Sequence, residues 1–190
     1  MNRVDNEDLD LEFRRNLFHL FLGIFIAIFV LFAGSSISVV FFSILLLICL
    51  LFSDLLQEHG VPGLNFIIDK FERRDQIPGE GVITFFVGAL IVTSIFPSNI
   101  AFISILLVSV IDSFTVLVGR KYGWITICED KNLTGTFAGF LVGFLFIYPF
   151  LEPLHALIVA FAGSVSELFC PYDNIAIQVV TAVILAILII

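Results

Sequence analysis

The fold is decided by residues 17–54, which have the sequence LFHLFLGIFIAIFVLFAGSSISVVFFSILLLICLLFSD. This stretch contains no Lys, Arg or Glu, and its single Asp, Asp54, stands at its end. A helix needs about 20 apolar residues to cross the hydrocarbon core of a bilayer, so a run of nearly twice that length predicts two consecutive spanning helices. We expect them at residues 17–34 and 36–54, with a break near residue 35.

The whole chain has the composition of a membrane protein. Its 190 residues are 59% apolar and 14% charged, whereas soluble domains are about 45–50% apolar and about 25% charged. These values exclude a soluble globule, a disordered chain, a coiled coil and a disulfide-bonded scaffold. The formal net charge of −8 argues against a nucleic-acid-binding face.

Five further apolar stretches of helix length follow the first two. They lie near residues 82–97, 100–118, 134–150, 153–170 and 175–190. The sequence therefore predicts an all-α, multi-pass membrane helix bundle of about seven transmembrane helices, forming a single domain over residues 1–190. Each stretch is slightly short for a bilayer core, so we expect a thin or compact bundle.

The basic residues predict the orientation of this bundle. All nine Lys and Arg fall in residues 1–16, 55–81 or 119–133, which are alternate connections between the predicted spans. Because cytoplasmic segments are enriched in Lys and Arg, these three segments are predicted to be cytoplasmic. The C-terminus is then expected on the opposite face.

The cytoplasmic connection 55–81 contains a candidate interfacial helix. Leu64, Ile67, Ile68 and Phe71 recur at the i, i+3, i+4, i+7 spacing of one helical face. This pattern is typical of a short amphipathic helix that lies in the headgroup plane. Such a helix would serve either as an anchor or as a lid at a lipid entrance.

Two acids, Asp112 and Glu167, fall near the ends of apolar stretches. A carboxylate in hydrocarbon is costly unless it is paired, hydrated or bound to a cation, so such acids are candidates for function. At similar depth the two could hold one divalent cation. The alternative is a pair of helix-end acids that are solvated in the headgroup region.

A basic, glycine-containing segment follows Asp112 and Ser113. Its residues of interest are Gly119, Arg120, Lys121, Gly123, Lys131, Gly135 and Thr136. Glycines let backbone N–H groups approach an anion, basic side chains neutralise it and a hydroxyl can bind a metal, so these are the parts of a phosphate site. The alternative is a positively charged cytoplasmic loop with turn-forming glycines.

Polar residues also stand at the start of the first and last spans. Those that share one helical face at the first span are Glu12, Arg15, Asn16 and His19, and those that begin the last span are Asp173 and Asn174. A hydrogen-bonded interfacial histidine and a helix N-cap are the structural alternatives for these groups.

These residues resemble one known family, the CTP-dependent lipid kinases of membranes, which includes dolichol or polyprenol kinases, phytol kinases and CTP-using diacylglycerol kinases. The resemblance covers about residues 12–178. The elements that carry it are Glu12, Arg15, His19 and Gly23, then Pro78-Gly79-Glu80-Gly81, Asp112-Ser113, Gly119-Arg120-Lys121, Gly123, Lys131, Gly135-Thr136, Glu167 and Asp173-Asn174. The chain departs from the family pattern at four positions. A second basic residue is common where this chain has Asn16, and Ala is common where it has Thr115. Ser or Thr is common in place of Asn132, and Glu in place of Thr134.

The resemblance implies transfer of the γ-phosphate of CTP to the hydroxyl of a membrane lipid alcohol, a polyprenol, another isoprenoid alcohol or a diradylglycerol, with release of CDP. The implied catalytic residues are Asp112, His19 and Arg15. The implied nucleotide-binding residues are Ser113, Gly119, Arg120, Lys121, Gly123, Lys131, Gly135 and Thr136. Mg²⁺ is the implied cofactor, and its implied ligands are Asp112, Glu167, Asp173 and Asn174.

The implied setting is a prokaryotic cell membrane rather than the endoplasmic reticulum, with the active site on the cytoplasmic face and with CTP, membrane lipids and the lipid alcohol as partners. Two alternatives stay open. A cytidylyltransferase would make a CDP-lipid from a lipid phosphate and release pyrophosphate. An ion-coupled transporter would use Asp112 and Glu167 as ion sites.

Overall fold

The computed structural model describes residues 6–59, 79–128 and 131–189, with side chains for residues 13–54, 79–127 and 131–189. Within these residues the chain is helical apart from one short hairpin, so the predicted all-α fold class is confirmed. The elements are α1 (Asn6–His59), α2 (Glu80–Ile95), α3 (Ser98–Tyr122), β1 (Thr126–Cys128), β2 (Lys131–Asn132), α4 (Leu133–Ile147), α5 (Pro153–Phe169) and α6 (Asp173–Ile189). The candidate interfacial helix at 64–71, Pro78 and the side chain of Glu12 lie outside the described residues.

The first helix reverses direction at Gly34. This residue has φ 78° and ψ 166°, a conformation that is essentially restricted to glycine. The ring centroids of Phe29 and Phe41 are 4.7 Å apart, whereas twelve residues of straight helix would separate them by about 18 Å. The predicted break near residue 35 is therefore confirmed.

Each of the five later apolar stretches contains one helix. Proline marks two of the starts, since Pro97 directly precedes α3 and Pro153 is the first residue of α5. Proline suits these positions because its fixed φ fits the first helical turn and its missing N–H would have no partner there.

Two helices in the described ranges are long and apolar enough to cross a membrane. They are α1 over Phe13–Asp54 and α3 over Ser98–Tyr122. The other four helices have 15 to 17 residues, which corresponds to about 22–26 Å of helix against a core of about 30 Å. The seven membrane crossings thus stay a prediction.

The central element of the bundle is α3. It packs against α1, α4 and α6, and all its residues from Ile100 to Ile111 are buried. The outer face of α1 is apolar as well, with exposed phenylalanines at Phe18, Phe21, Phe25 and Phe32. Asp112 directly follows the buried part of α3, so the core of the bundle positions this acid.

Three glycines bring α4 into close contact with α3. A Cβ atom on Gly135 would overlap the carbonyl oxygen of Thr115, and one on Gly139 would overlap the Thr115 hydroxyl. A Cβ on Gly143 would lie 3.0 Å from Ile111 Cγ1. The spacing of four residues is the small-residue pattern that lets helices approach closely, and it seats the first turn of α4 beside the end of α3.

Candidate functional site

Charged side chains from four helices and the hairpin meet at one end of the bundle. Asp112 on α3 interacts electrostatically with Asp173 on α6, Glu167 on α5, Arg15 on α1 and Lys131 on β2. We call these five residues the charged cluster. Three carboxylates and two cations are brought together from positions as far apart in sequence as 15 and 173.

Lys131 connects the hairpin to the junction between α5 and α6. Its Nζ donates hydrogen bonds to the carbonyl oxygens of Glu167 and Cys170, the latter at 3.0 Å. It also donates to Asp173 Oδ2 at 3.1 Å and lies 3.6 Å from Glu167 Oε1. Lys131 therefore satisfies carbonyls at the C-terminal end of α5, a position where a cation also interacts favourably with the helix dipole.

The charge of Lys131 is stabilised by these contacts. Partial burial alone would lower the pKa of Lys131, but the carboxylates of Asp173 and Glu167 outweigh burial and raise it. The ammonium group thus stays protonated at neutral pH. In this structure its donors are directed to the α5–α6 junction, although the sequence placed Lys131 among the phosphate ligands.

Glu167 is the most buried carboxylate of the cluster, with 2% of its surface exposed. Besides its ion pair with Lys131, its Oε2 accepts a hydrogen bond of 3.4 Å from the Thr136 hydroxyl in the first turn of α4. A buried charge is tolerated when it is paired and hydrogen-bonded. Glu167 and Thr136, predicted separately as metal and nucleotide ligands, are therefore direct neighbours.

Asp112 and His19 form the second contact pair of the site. His19 Nε2 lies 3.7 Å from Asp112 Oδ2, and the two side chains are 26% and 20% exposed. The His19 ring stacks edge-on against Phe85 of α2, with centroids 5.4 Å apart. The predicted catalytic residues Asp112 and His19 are thus adjacent, and the partial exposure of Asp112 leaves it accessible to a ligand.

The N-terminal arm of α1 is held against α3 at this level. The buried Ser113 hydroxyl donates to the Asn16 carbonyl at 3.1 Å, and a Cβ on Gly23 would overlap the Ser109 hydroxyl. Ser113 was predicted to bind nucleotide, but in this structure its hydroxyl connects two helices. Its contact fixes the turn of α1 that carries Arg15 and His19.

Asn132 connects the end of α3 to the start of α4. Its Oδ1 accepts a hydrogen bond from the Gly135 N–H at 2.8 Å, and its Nδ2 donates to the Gly119 carbonyl at 3.1 Å. This residue appeared in the sequence only as a departure from the family pattern. The sequence could have indicated this role, because an Asn directly before an apolar helix is a favoured N-cap.

The structure differs from the predicted loop 119–133 in one respect. Gly119, Arg120 and Lys121 belong to the last turn of α3, which continues to Tyr122. Arg120 and Lys121 are exposed and stand at the negative end of the helix dipole, where cations are stabilised. The connection that follows carries Trp124, whose surface is 90% exposed.

The start of α6 joins the cluster to α2. Asp173 Oδ1 accepts from the Asn174 N–H at 2.9 Å, while the Asn174 side chain donates to the Gly81 carbonyl at 3.2 Å and the Thr84 hydroxyl at 3.3 Å. One turn on, fully buried Gln178 donates to the Phe85 carbonyl at 3.1 Å. Sequence reasoning missed Gln178, a buried amide in an apolar helix, which is itself an informative signal.

Donor chemistry at the cluster suits Mg²⁺, because carboxylate oxygens are its preferred protein ligands. Within the described residues no group of three His, Cys, Asp or Glu side chains could hold a metal ion. Mg²⁺ is commonly bound through one or two carboxylates together with substrate phosphates and waters. The cluster thus offers carboxylate oxygens of the kind that can bind Mg²⁺.

The chain is similar to three curated fungal proteins, each called CTP-dependent diacylglycerol kinase 1. The one from Schizosaccharomyces pombe is 33% identical over 130 residues, covering 56% of this chain and 59% of the relative. The Saccharomyces cerevisiae protein is 27% identical over 146 residues, covering 73% of this chain and 50% of the relative. The Eremothecium gossypii protein is 36% identical over 66 residues, covering 34% of this chain and 21% of the relative.

These similarities confirm the resemblance to CTP-dependent lipid kinases that was predicted from the motifs. The chain spans about three fifths or less of the length of these relatives. No family model and no solved structure matches it.

Proposed function

We propose, from the similarity to CTP-dependent lipid kinases, that this chain transfers the γ-phosphate of CTP to the hydroxyl of a membrane lipid alcohol. The observation that carries the proposal is the charged cluster at one end of an otherwise apolar bundle. The names of the fungal relatives make a diacylglycerol the first acceptor to test. Polyprenols and other isoprenoid alcohols are the second class.

In the proposed reaction the lipid hydroxyl oxygen forms a bond to the γ-phosphorus, and the bond from that phosphorus to the oxygen bridging it to the β-phosphate breaks. The products are a lipid monophosphate and CDP. Asp112 accepts the hydroxyl proton, since it is the partly exposed carboxylate of the cluster and a carboxylate within reach can act as a general base. Arg15 partly balances the charge of Asp112, and the His19 ring lies beside the Asp112 carboxylate.

We assign the triphosphate to the space between the end of α3 and the start of α4. Arg120 and Lys121 supply positive charge from the last turn of α3. The N-terminal turn of α4, which contains Gly135 and Thr136, offers backbone N–H groups and the positive end of a helix dipole. Phosphoryl transfer depends mainly on such positioning and charge neutralisation.

Mg²⁺ fits this proposal as an ion that binds together with CTP. It would be held by Asp112 together with Glu167 or Asp173. Asn174 is a further candidate ligand through its side-chain oxygen. When bound, the ion would neutralise charge that develops on the phosphate oxygens.

We also propose a multi-pass bundle in a prokaryotic cell membrane, with the N-terminus and the charged cluster on the cytoplasmic side. The exposed phenylalanines of α1 support contact with lipid, because an apolar surface of this kind is stable in hydrocarbon. The lipid alcohol would enter sideways between helices, with its hydroxyl at the level of Asp112.

The test uses the purified full chain in lipid vesicles with γ-labelled CTP, ATP or GTP and a panel of alcohols, namely a diacylglycerol, a polyprenol and phytol. We expect label in the lipid with CTP. Asp112→Ala should reduce the rate at least about 10²-fold, the usual effect of removing a general base. Asn99→Ala, an exposed position at the far end of α3, is the control and should keep the wild-type rate.

Three results would contradict the proposal. Folded protein that labels no lipid with any nucleotide is not a lipid kinase. A parallel assay offers a lipid phosphate with α-labelled or γ-labelled CTP. Label that enters the lipid only from α-labelled CTP, with release of pyrophosphate, identifies a cytidylyltransferase. Asp112-dependent ion flux without phosphorylation identifies a transporter.

A further inference from the structure

The side chain of Asn132 fills a hollow that is formed by three glycines. A Cβ atom would lie 2.8 Å from Asn132 Nδ2 if placed on Gly119, 2.7 Å from it if placed on Gly123, and 3.3 Å from Oδ1 if placed on Gly135. The absence of Cβ atoms on Gly119 and Gly123 therefore leaves room for the amide, and a Cβ on Gly135 would contact it tightly. These are the glycines that the sequence assigned to the phosphate site.

The amide of Asn132 is hydrogen-bonded at both ends. Its oxygen accepts from the Gly135 N–H at 2.8 Å and its nitrogen donates to the Gly119 carbonyl at 3.1 Å. The Asn132 backbone carbonyl accepts from the Thr136 hydroxyl at 3.2 Å. These bonds connect the last turn of α3 to the first turn of α4, in addition to the close contact of Gly135 with the Thr115 carbonyl.

Asn132 and Lys131 act on opposite sides of β2. Successive side chains of a strand point in opposite directions, and here Lys131 reaches the α5–α6 junction while Asn132 reaches the α3–α4 junction. This dipeptide therefore joins two helix junctions on either side of the site. A change of the Asn132 side chain would therefore remove contacts at the α3–α4 junction and leave the contact of Lys131 with Asp173 in place.

We infer that Asn132 is a positioning residue for the nucleotide, an inference that rests on the proposed function. It holds the basic end of α3, with Arg120 and Lys121, against the N-terminal turn of α4, so that both can contact one triphosphate. Asn suits this task because it presents a donor and an acceptor on separate atoms. A Ser or Thr hydroxyl can cap α4 but is shorter than the amide that spans the hollow.

The experiment compares wild type with Asn132→Ala, Asn132→Asp and Asn132→Ser in the labelled-CTP assay, at varied CTP and at varied lipid. We expect Asn132→Ala to raise the KM for CTP about tenfold, the effect of losing two hydrogen bonds of ordinary strength, and to leave the KM for lipid within about twofold of wild type. Asn132→Asp keeps the acceptor for Gly135 and loses the donor to Gly119. Asn132→Ser should fall between wild type and Ala. Asn132→Asp sets a carboxylate against the Gly119 carbonyl and adds negative charge near the triphosphate, so its KM for CTP should be at least as high as that of Ala.

Equilibrium binding of labelled CTP, measured without lipid on the same proteins, separates this inference from the proposed function. Weaker binding by the Asn132 variants supports the inference even if no lipid is phosphorylated. Equal CTP affinity in wild type and all three variants overturns it, as does a parallel rise in both KM values. Asn99→Ala is the matched control, because it makes the same substitution at the other end of α3 and should leave both KM values unchanged.

Discussion

At the scale of single residues, one ammonium group holds the site together. Lys131 contacts two carboxylates and two backbone carbonyls at the α5–α6 junction. A lysine that bound only phosphate would not need two carboxylates and two backbone carbonyls as partners. The contacts indicate that Lys131 stabilises the acids of the charged cluster.

Replacing Lys131 should therefore cost stability as well as activity. In Lys131→Met the buried Glu167 loses its cationic partner, and we expect the free energy of unfolding to fall by about 3 kcal/mol, the usual effect of breaking a buried ion pair. Lys131→Arg keeps the charge and should recover most of this loss. Lys121→Met, at an exposed lysine, should change stability by less than about 0.5 kcal/mol. Thermal unfolding in detergent measures all three.

The pH dependence of this effect has a defined sign. Because the pKa of Lys131 is raised in the folded chain, its stabilising contribution is complete below the ordinary lysine pKa of about 10.4 and is lost as the pH rises through the higher folded value. The stability difference between wild type and Lys131→Met should thus persist up to about pH 10 and decrease above it. A difference that is already lost at about pH 9 would contradict the ion pair.

At the scale of elements, glycines serve three different purposes. Gly139 gives α4 close access to α3, Gly34 reverses α1 through a positive φ, and Gly81 lies in the first turn of α2 with nothing within 4 Å of its Cβ position. Substitution by Ala should therefore destabilise the fold at Gly139 and Gly34 for different reasons, and should not destabilise it at Gly81.

Gly139→Ala should destabilise the fold by about 1–3 kcal/mol, because the added methyl overlaps the Thr115 hydroxyl and overpacks the helix contact. Gly34→Ala should cost about 1–3 kcal/mol through backbone strain alone. Gly81→Ala should be neutral or stabilising by about 0.5–1 kcal/mol, since Ala favours a helix. Equal melting temperatures for the Gly81 and Gly139 variants would contradict the close α3–α4 contact.

The helices were predictable from the sequence and the contacts at the site largely were not. Apolar runs broken by Gly34, Pro97 and Pro153 are local signals, so the seven predicted stretches match the two arms of α1 and the five later helices. The grouping of Asp112 with Glu167 also followed from their depth. The choice of partner for Lys131 depends on how α5 and α6 meet, and the bridging role of Asn132 depends on three glycines that converge only in the folded chain.

At the scale of the whole molecule, charge and apolar surface are separated. The buried centre of α3 and the exposed phenylalanines of α1 are apolar, while the described acids and bases of the cluster gather at one end. This arrangement favours a bundle that is surrounded by lipid and meets water at its charged end.

The proposed orientation can be tested with reporter fusions after residue 126, in β1, and after residue 190. Because an odd number of crossings separates these points in the predicted topology, the two reporters should report opposite sides of the membrane, with residue 126 cytoplasmic. Reporters on the same side would contradict the seven-span arrangement. A third fusion within residues 1–5 should agree with the one at residue 126.

Trp124 is an intrinsic fluorescent probe of the site. It is the only tryptophan in the chain, it is 90% exposed, and it stands in the connection that joins α3 to the hairpin. Indole rings prefer the boundary between lipid and water. The intrinsic tryptophan fluorescence of the protein therefore reports the polarity around Trp124, three residues after Lys121. Two results would locate this connection at the membrane surface without any label. The emission of Trp124 would shift to shorter wavelength in vesicles, and dissolved iodide would quench it less.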